Sequence, residues 1–135
     1  LIAAQADEII ASRMSAVGSI GVISQVLDVS RYLEQQGVKV EVFTNKEGAF
    51  KATGAPGTSL TDPQREYLQG RVDAAFSEFK GTVKPRRPDV QDGSLRGQVF
   101  WGGEARRLGF VDRLGDMTFA TSVLRRRVRT VDAGR

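Results

Sequence analysis

The chain has no cysteine and no histidine. Those absences exclude disulfides, thiol nucleophiles, Cys/His zinc sites, and any Ser-His-Asp or Cys-His mechanism supplied by these residues. Acid–base chemistry must instead use Lys, Asp, Glu, Tyr or a hydroxyl, and no metal or cofactor is expected. No run of about 18 apolar residues occurs, so no membrane-spanning helix is expected within the segment. Aromatics are sparse, at 7%, and no repeat or low-complexity tract is visible. What is present suits one domain with a core: 135 residues, 40% of them hydrophobic. The net charge of +4 owes much to Arg125-Arg126-Arg127 and Arg129. Such a run, without interleaved aromatics, predicts a solvated helix end and no specific nucleic-acid partner. The chain opens at Leu1 in mid-pattern, with no cap or turn before Leu1-Ile2-Ala3-Ala4. The expectation is a fragment or a processed product.

Local patterns predict alternating helices and strands. Residues 1–6 read as the end of a small-residue helix and residues 7–11 as a short strand. Two glycines bracket a hydroxyl in Ala16-Val17-Gly18-Ser19-Ile20-Gly21-Val22-Ile23, a tight backbone entry. A second strand is expected over residues 20–23. Apolar spacing predicts a helix over residues 26–36, stopped by Gly37. Val38-Lys39-Val40-Glu41-Val42-Phe43-Thr44 alternates and predicts a strand. Residues 45–60 carry Gly48, Gly54, Pro56 and Gly57, a breaker density that predicts a loop, and a loop this long is commonly functional. Thr61 can cap the longest helix, with Pro63 in its first turn. Leu68, Val72, Ala75, Phe76, Phe79 and Val83 share one face of that helix, and packing explains them. A strand over 97–101, a short helix over 103–108 closed by Gly109, and a last helix over 117–128 complete the reading. Alternation with glycine turns predicts a layered α/β domain.

Chemistry centres on Gly48-Ala49-Phe50-Lys51. A lysine in a glycine-rich loop is either a solvated surface group or a general base. It acts as a base only when neutral, which requires burial or nearby positive charge. Small and apolar neighbours favour Lys51 for that role. Its competitor Lys46 sits beside Glu47, which would keep it charged.

Four stretches appear in order: Ala6-Asp7-Glu8-Ile9-Ile10, then Val17-Gly18-Ser19-Ile20-Gly21-Val22, then Gly48-Ala49-Phe50-Lys51. The last is Gly103-Glu104-Ala105-Arg106-Arg107-Leu108-Gly109-Phe110-Val111-Asp112-Arg113-Leu114-Gly115. Together they resemble the signal peptide peptidase A family, which includes phage head-maturation (capsid) proteases. The resemblance covers roughly residues 1–120. It implies the C-terminal portion of a Clp protease/crotonase-like fold, with residues 1–124 in the peptidase domain and 125–135 as a basic tail. It implies a serine endopeptidase with a Ser-Lys dyad, in which Lys51 is the general base and Ser19 orients the lysine. The family's nucleophile would stand in a Ser-Ala/Gly-Ala-Tyr-like motif just before Leu1, together with the oxyanion-binding glycine turn. These residues alone are therefore expected to be inactive, and the upstream part of the same protein is an expected partner. A peptide or protein substrate and a homo-oligomer are implied as well. The rival reading is a catalytically inactive assembly module of the same fold. Ser12-Arg13-Met14-Ser15-Ala16-Val17-Gly18 looks closer to the phage type, which would be cytoplasmic; the signal peptide peptidase type would be membrane-associated. Phe110 stands where the family usually has Leu. Arg86-Arg87 lies near a family arginine and receives no role.

Overall fold

The computed structural model of the protein describes residues 1–133. The chain divides into two compact units, one made of Leu1–Gly21 with Phe76–Arg135, the other of Val22–Ala75.

The first unit holds two sheets of two strands each, and the core. A single turn of 3-10 helix, Ala3–Gln5, precedes strand β1, Ile10–Ala11, and strand β2, Ala16–Gly18. Strand β3, Val99–Trp101, runs into helix α3, Gly102–Arg107, which leads to strand β4, Arg113–Leu114. β1 pairs in parallel with β4, Ile10 opposite Arg113; β2 pairs antiparallel with β3, Val17 opposite Phe100. Ala4, Ala11, Ile20, Val83, Val90, Leu95, Ala105, Phe110 and Val111 form a buried cluster, with Phe76, Phe79 and Phe100 packed against it. Phe110 stacks on Phe100 with centroids 5.6 Å apart, so an aromatic at this position is packing. Gly109, at φ +85°, turns the end of α3 where a Cβ would meet the backbone of Asp89 and Val90. Trp101 pairs with Ala16 in the β2–β3 sheet and is exposed.

Helix α4, Met117–Ala133, closes the unit and runs on through the arginines that begin at residue 125. Its start is fixed by Asp116, whose Oδ1 accepts the Phe119 amide at 2.8 Å. No helix of the described residues is long and apolar enough to cross a membrane.

The second unit holds helix α1, Ser30–Gln35, and the first part of helix α2, Asp62–Val83. α2 begins with a reciprocal cap: the Gln64 amide donates to Thr61 Oγ1 at 3.4 Å and the Thr61 amide to Gln64 Oε1 at 3.1 Å. None of residues 22–75 is buried. Successive turns fill residues 45–60, as the breaker density predicted.

Three local expectations need correction. The strand expected over residues 20–23 lies earlier, at Ala16–Gly18, because Gly18 and Ser19 both take positive φ and turn the chain there. The helix expected over 26–36 is shorter, since Asp28 Oδ1 accepts both the amide and the hydroxyl of Ser30 and holds a local turn instead. The strand expected around Val40 does not form. After the Val38 amide, which donates to the Leu33 carbonyl at 2.9 Å, residues 39–44 make no backbone–backbone hydrogen bonds among the described residues.

Candidate active site

Ser19 sits at a rigid corner. Its amide donates to the Gln98 carbonyl at 2.7 Å, and the Gly97 amide donates to the Ile20 carbonyl at 3.0 Å. These bonds prolong the β2–β3 pairing around the turn. A Cβ on Gly18 would lie 2.5 Å from the Gln98 carbonyl oxygen, which explains why this position is glycine. Ser19 itself has φ +52° and is the only non-glycine with positive φ among the described residues. A side chain held in this left-handed region costs on the order of 1 kcal/mol, and such strain concentrates at functional positions. The Ser19 side chain is exposed at this corner, beside the buried Ile20.

Beneath β1 lies a charged network to which the sequence reading gave no role. Arg87 is buried, at 7% exposure. Its Nη1 donates to Asp112 Oδ2 at 2.6 Å and its Nη2 to the Ala6 carbonyl at 2.5 Å. Asp112 Oδ2 also accepts the Ile9 amide at 2.6 Å, while the Asp112 amide donates to the Ile9 carbonyl at 3.0 Å. One guanidinium thereby fixes the chain on both sides of Asp7 and Glu8. Glu8 binds Arg113 and, at 2.7 Å, Arg127 of α4. The Arg113 hydrogen bond, more than the surrounding charges, holds the Glu8 carboxyl below its ordinary range and raises Arg113 in return. Arg113 also lies over the Phe119 ring, 5.3 Å from its centroid. The sequence signal for this network was the acidic pair Asp7-Glu8 beside β1 and the Asp112-Arg113 pair entering β4; nothing local to Arg87 revealed its partners.

Lys51 belongs to the second unit and lies in the succession of turns. Its amide donates to the Gly48 carbonyl at 2.9 Å, and Gly48 donates in turn to Asn45 at 2.8 Å. Gln64 of α2 donates to the Ala49 carbonyl at 3.2 Å, and Phe50 packs on Tyr67 with centroids 5.0 Å apart. The backbone around the lysine is therefore tied to α2. Its side chain is not covered: Lys51 is exposed, because the apolar neighbour expected to shield it, Phe50, is turned towards Tyr67. Lys46 is exposed as well, and among the described residues it forms no ion pair with Glu47.

A mixed helix–strand unit, a strained serine corner and a lysine-bearing loop are the features that similarity to known proteins must explain. The chain belongs to peptidase family S49, whose model matches residues 1–130. It is 30% identical over 118 residues to a protease-named protein of Methanocaldococcus jannaschii, covering 85% of this chain and 37% of that one. It is 29% identical over 136 residues to SppA of Enterococcus faecium, named as a signal peptide peptidase, covering 98% and 39% respectively. It is 32% identical over 127 residues to capsid assembly protease C of Escherichia phage lambda, covering 93% and 28%. The chain thus spans about a third of the length of the curated relatives it matches.

Proposed function

We propose that this chain is the lysine-bearing part of a serine endopeptidase that works by a Ser-Lys dyad. The observation that carries the reading is the S49 match over residues 1–130, which includes Gly48-Ala49-Phe50-Lys51. In this reading the fold is the C-terminal portion of a layered Clp protease/crotonase-like domain, and the nucleophilic serine belongs to residues upstream of Leu1. The Lys51 amine takes the serine proton as Oγ attacks the scissile carbonyl carbon, then delivers it to the departing amine. Water attacks the resulting acyl-enzyme, gives its proton to Lys51, and the serine leaves reprotonated. Backbone amides of the upstream segment stabilise the oxyanion. The exposed position of Lys51 assigns one more task to that segment: excluding water from the amine, since only a neutral lysine can accept the proton. Ser19 is a positioning residue whose hydroxyl orients the amine, and the strain at its backbone is consistent with that task. Peptide or protein substrates and a homo-oligomeric assembly belong to the same reading.

The test is turnover of an unstructured protein by the full-length protein. Lys51→Ala should abolish most of it while leaving the circular dichroism spectrum unchanged. Lys51→Arg should be nearly as damaging, because arginine stays protonated. Wild-type protein without turnover would favour the inactive assembly module, and full turnover in Lys51→Ala would remove the dyad.

A further inference from the structure

Arg87 is a buried charge that the Ser-Lys chemistry does not use. Its terminal nitrogens reach chain far away in sequence, Nη1 to Asp112 and Nη2 to the Ala6 carbonyl. Its Nε is buried and has no hydrogen-bond partner among the described residues. An unpaired buried donor lowers stability. A buried ion pair is often no more stable than well-packed apolar side chains. Stability alone is therefore a weak reason for this guanidinium. What it does is hold a position.

That position is the junction at Ala6. Ala3–Gln5 form one helical turn, and Ile2 before them already has helical backbone angles. Ala6 is extended, at φ −69° and ψ 146°. Ala4, inside the turn, is buried in the core cluster. Arg87 holds the Ala6 carbonyl at 2.5 Å. Asp112, which it holds at 2.6 Å, accepts the Ile9 amide and donates its own amide to the Ile9 carbonyl. The chain leaving the turn is thus clamped at Ala6 and again at Ile9, onto a residue that directly precedes β4.

We infer that Arg87, acting with Asp112, is a positioning residue for the nucleophilic serine. The inference rests on the Ser-Lys reading, in which that serine stands shortly before Leu1 at the start of the helix that the Ala3–Gln5 turn ends. A helix rises about 1.5 Å per residue, so in that reading the serine lies roughly 10–15 Å from the clamped carbonyl. A misplacement of about 1 Å between reacting groups can cost on the order of 10²-fold in rate. Arg87 touches no reacting atom and works through the backbone that it holds. Lysine cannot take its place, because an ammonium lacks the planar fork that serves a carboxylate and a carbonyl together.

The test uses the full-length protein with Arg87→Lys and Asp112→Asn. One measurement is kcat and KM on an unstructured protein. The other is the rate of covalent labelling by a serine-directed fluorophosphonate, which needs the nucleophile and its base but no peptide. Leu95→Ala is the control, a core position at 3% exposure whose amide bonds to Asp92 and not to the clamp. In Arg87→Lys, kcat should fall by about tenfold to a hundredfold with KM unchanged, and labelling should slow by the same factor. Asp112→Asn should lose less, since its amide oxygen still accepts from Ile9 while the charge is gone. It carries the same comparison if Arg87→Lys does not fold. Leu95→Ala should lower the urea midpoint while both rates stay at the wild-type value. Rates in the clamp variants equal to those in Leu95→Ala would overturn the proposal and leave Arg87 a structural group. So would a rise in KM with labelling unchanged, which would place its effect at substrate binding. In both cases the dyad reading stands as long as Lys51→Ala is inactive. A wild-type protein that neither turns over substrate nor takes the label removes the dyad reading and this role with it.

Discussion

The two units use similar residues to opposite ends. The first gathers its apolar side chains into a buried cluster and pins its backbone with strand pairing and a buried guanidinium. The second has as much strand-like and helix-like sequence in proportion, yet buries no residue. The difference lies in partners rather than in propensity. β1 to β4 each find a neighbour in the chain, whereas the alternating segment at Val40 finds none. In consequence Ser19 is held by its own unit, while Lys51 stands on a loop whose side chains leave it exposed.

The largest effect that separates the two should be catalytic. In the full-length protein, Lys51→Ala should lower turnover by about 10²–10⁴-fold, Ser19→Ala should lower it less, and Lys46→Ala should leave it nearly unchanged. A smaller loss at Lys51 than at Ser19 would reverse the assigned roles. Next is Arg87→Met, which leaves Asp112 without its cation and the Ala6 carbonyl without a donor. About 2 kcal/mol of stability should be lost in urea unfolding. Val83→Ala should cost a similar amount, about 2 kcal/mol, from a core position that is 2% exposed. Ile23→Ala, at 90% exposure, should stay within about 0.5 kcal/mol. Equal losses at Val83 and Ile23 would break the contrast between the units. Ser19→Gly should raise stability by about 0.5 kcal/mol, since glycine relieves the left-handed strain but loses more chain entropy on folding. The smallest effect concerns pH. Glu8 titrates below its ordinary value of 4.5 when folded, so its contribution is present above pH 4.5 and is lost as acid protonates it. Wild type and Glu8→Gln should therefore differ at neutral pH and converge in acid unfolding curves; parallel curves would exclude the Arg113 bond as the cause.

Where the chain signals its own local structure, the sequence could be read closely. Thr61 and Gln64 encode the start of α2, Gly109 the end of α3, and Asp116 precedes α4. The four ordered motifs pointed to the family that the model match establishes. Long-range partners were not legible. The Arg87–Asp112 pair spans 25 positions and the Arg113–Glu8 pair 105, and no local pattern encodes either. Periodicity also misplaced β2, because the apolar run at residues 20–23 hid the two positive-φ residues that end the strand before it. At Val40 the alternation was present but strand formation needs a neighbour, which periodicity does not supply.

The distribution of aromatic side chains gives the two units separate spectroscopic signatures. The chain's one tryptophan, Trp101, lies on β3 in the first unit, and its two tyrosines, Tyr32 and Tyr67, lie on α1 and α2 in the second. Excitation selective for indole therefore follows the loss of the β2–β3 pair alone. Phenol emission follows the loop and helix around Lys51. One unlabelled sample can therefore show whether the serine corner and the lysine loop melt together or in sequence.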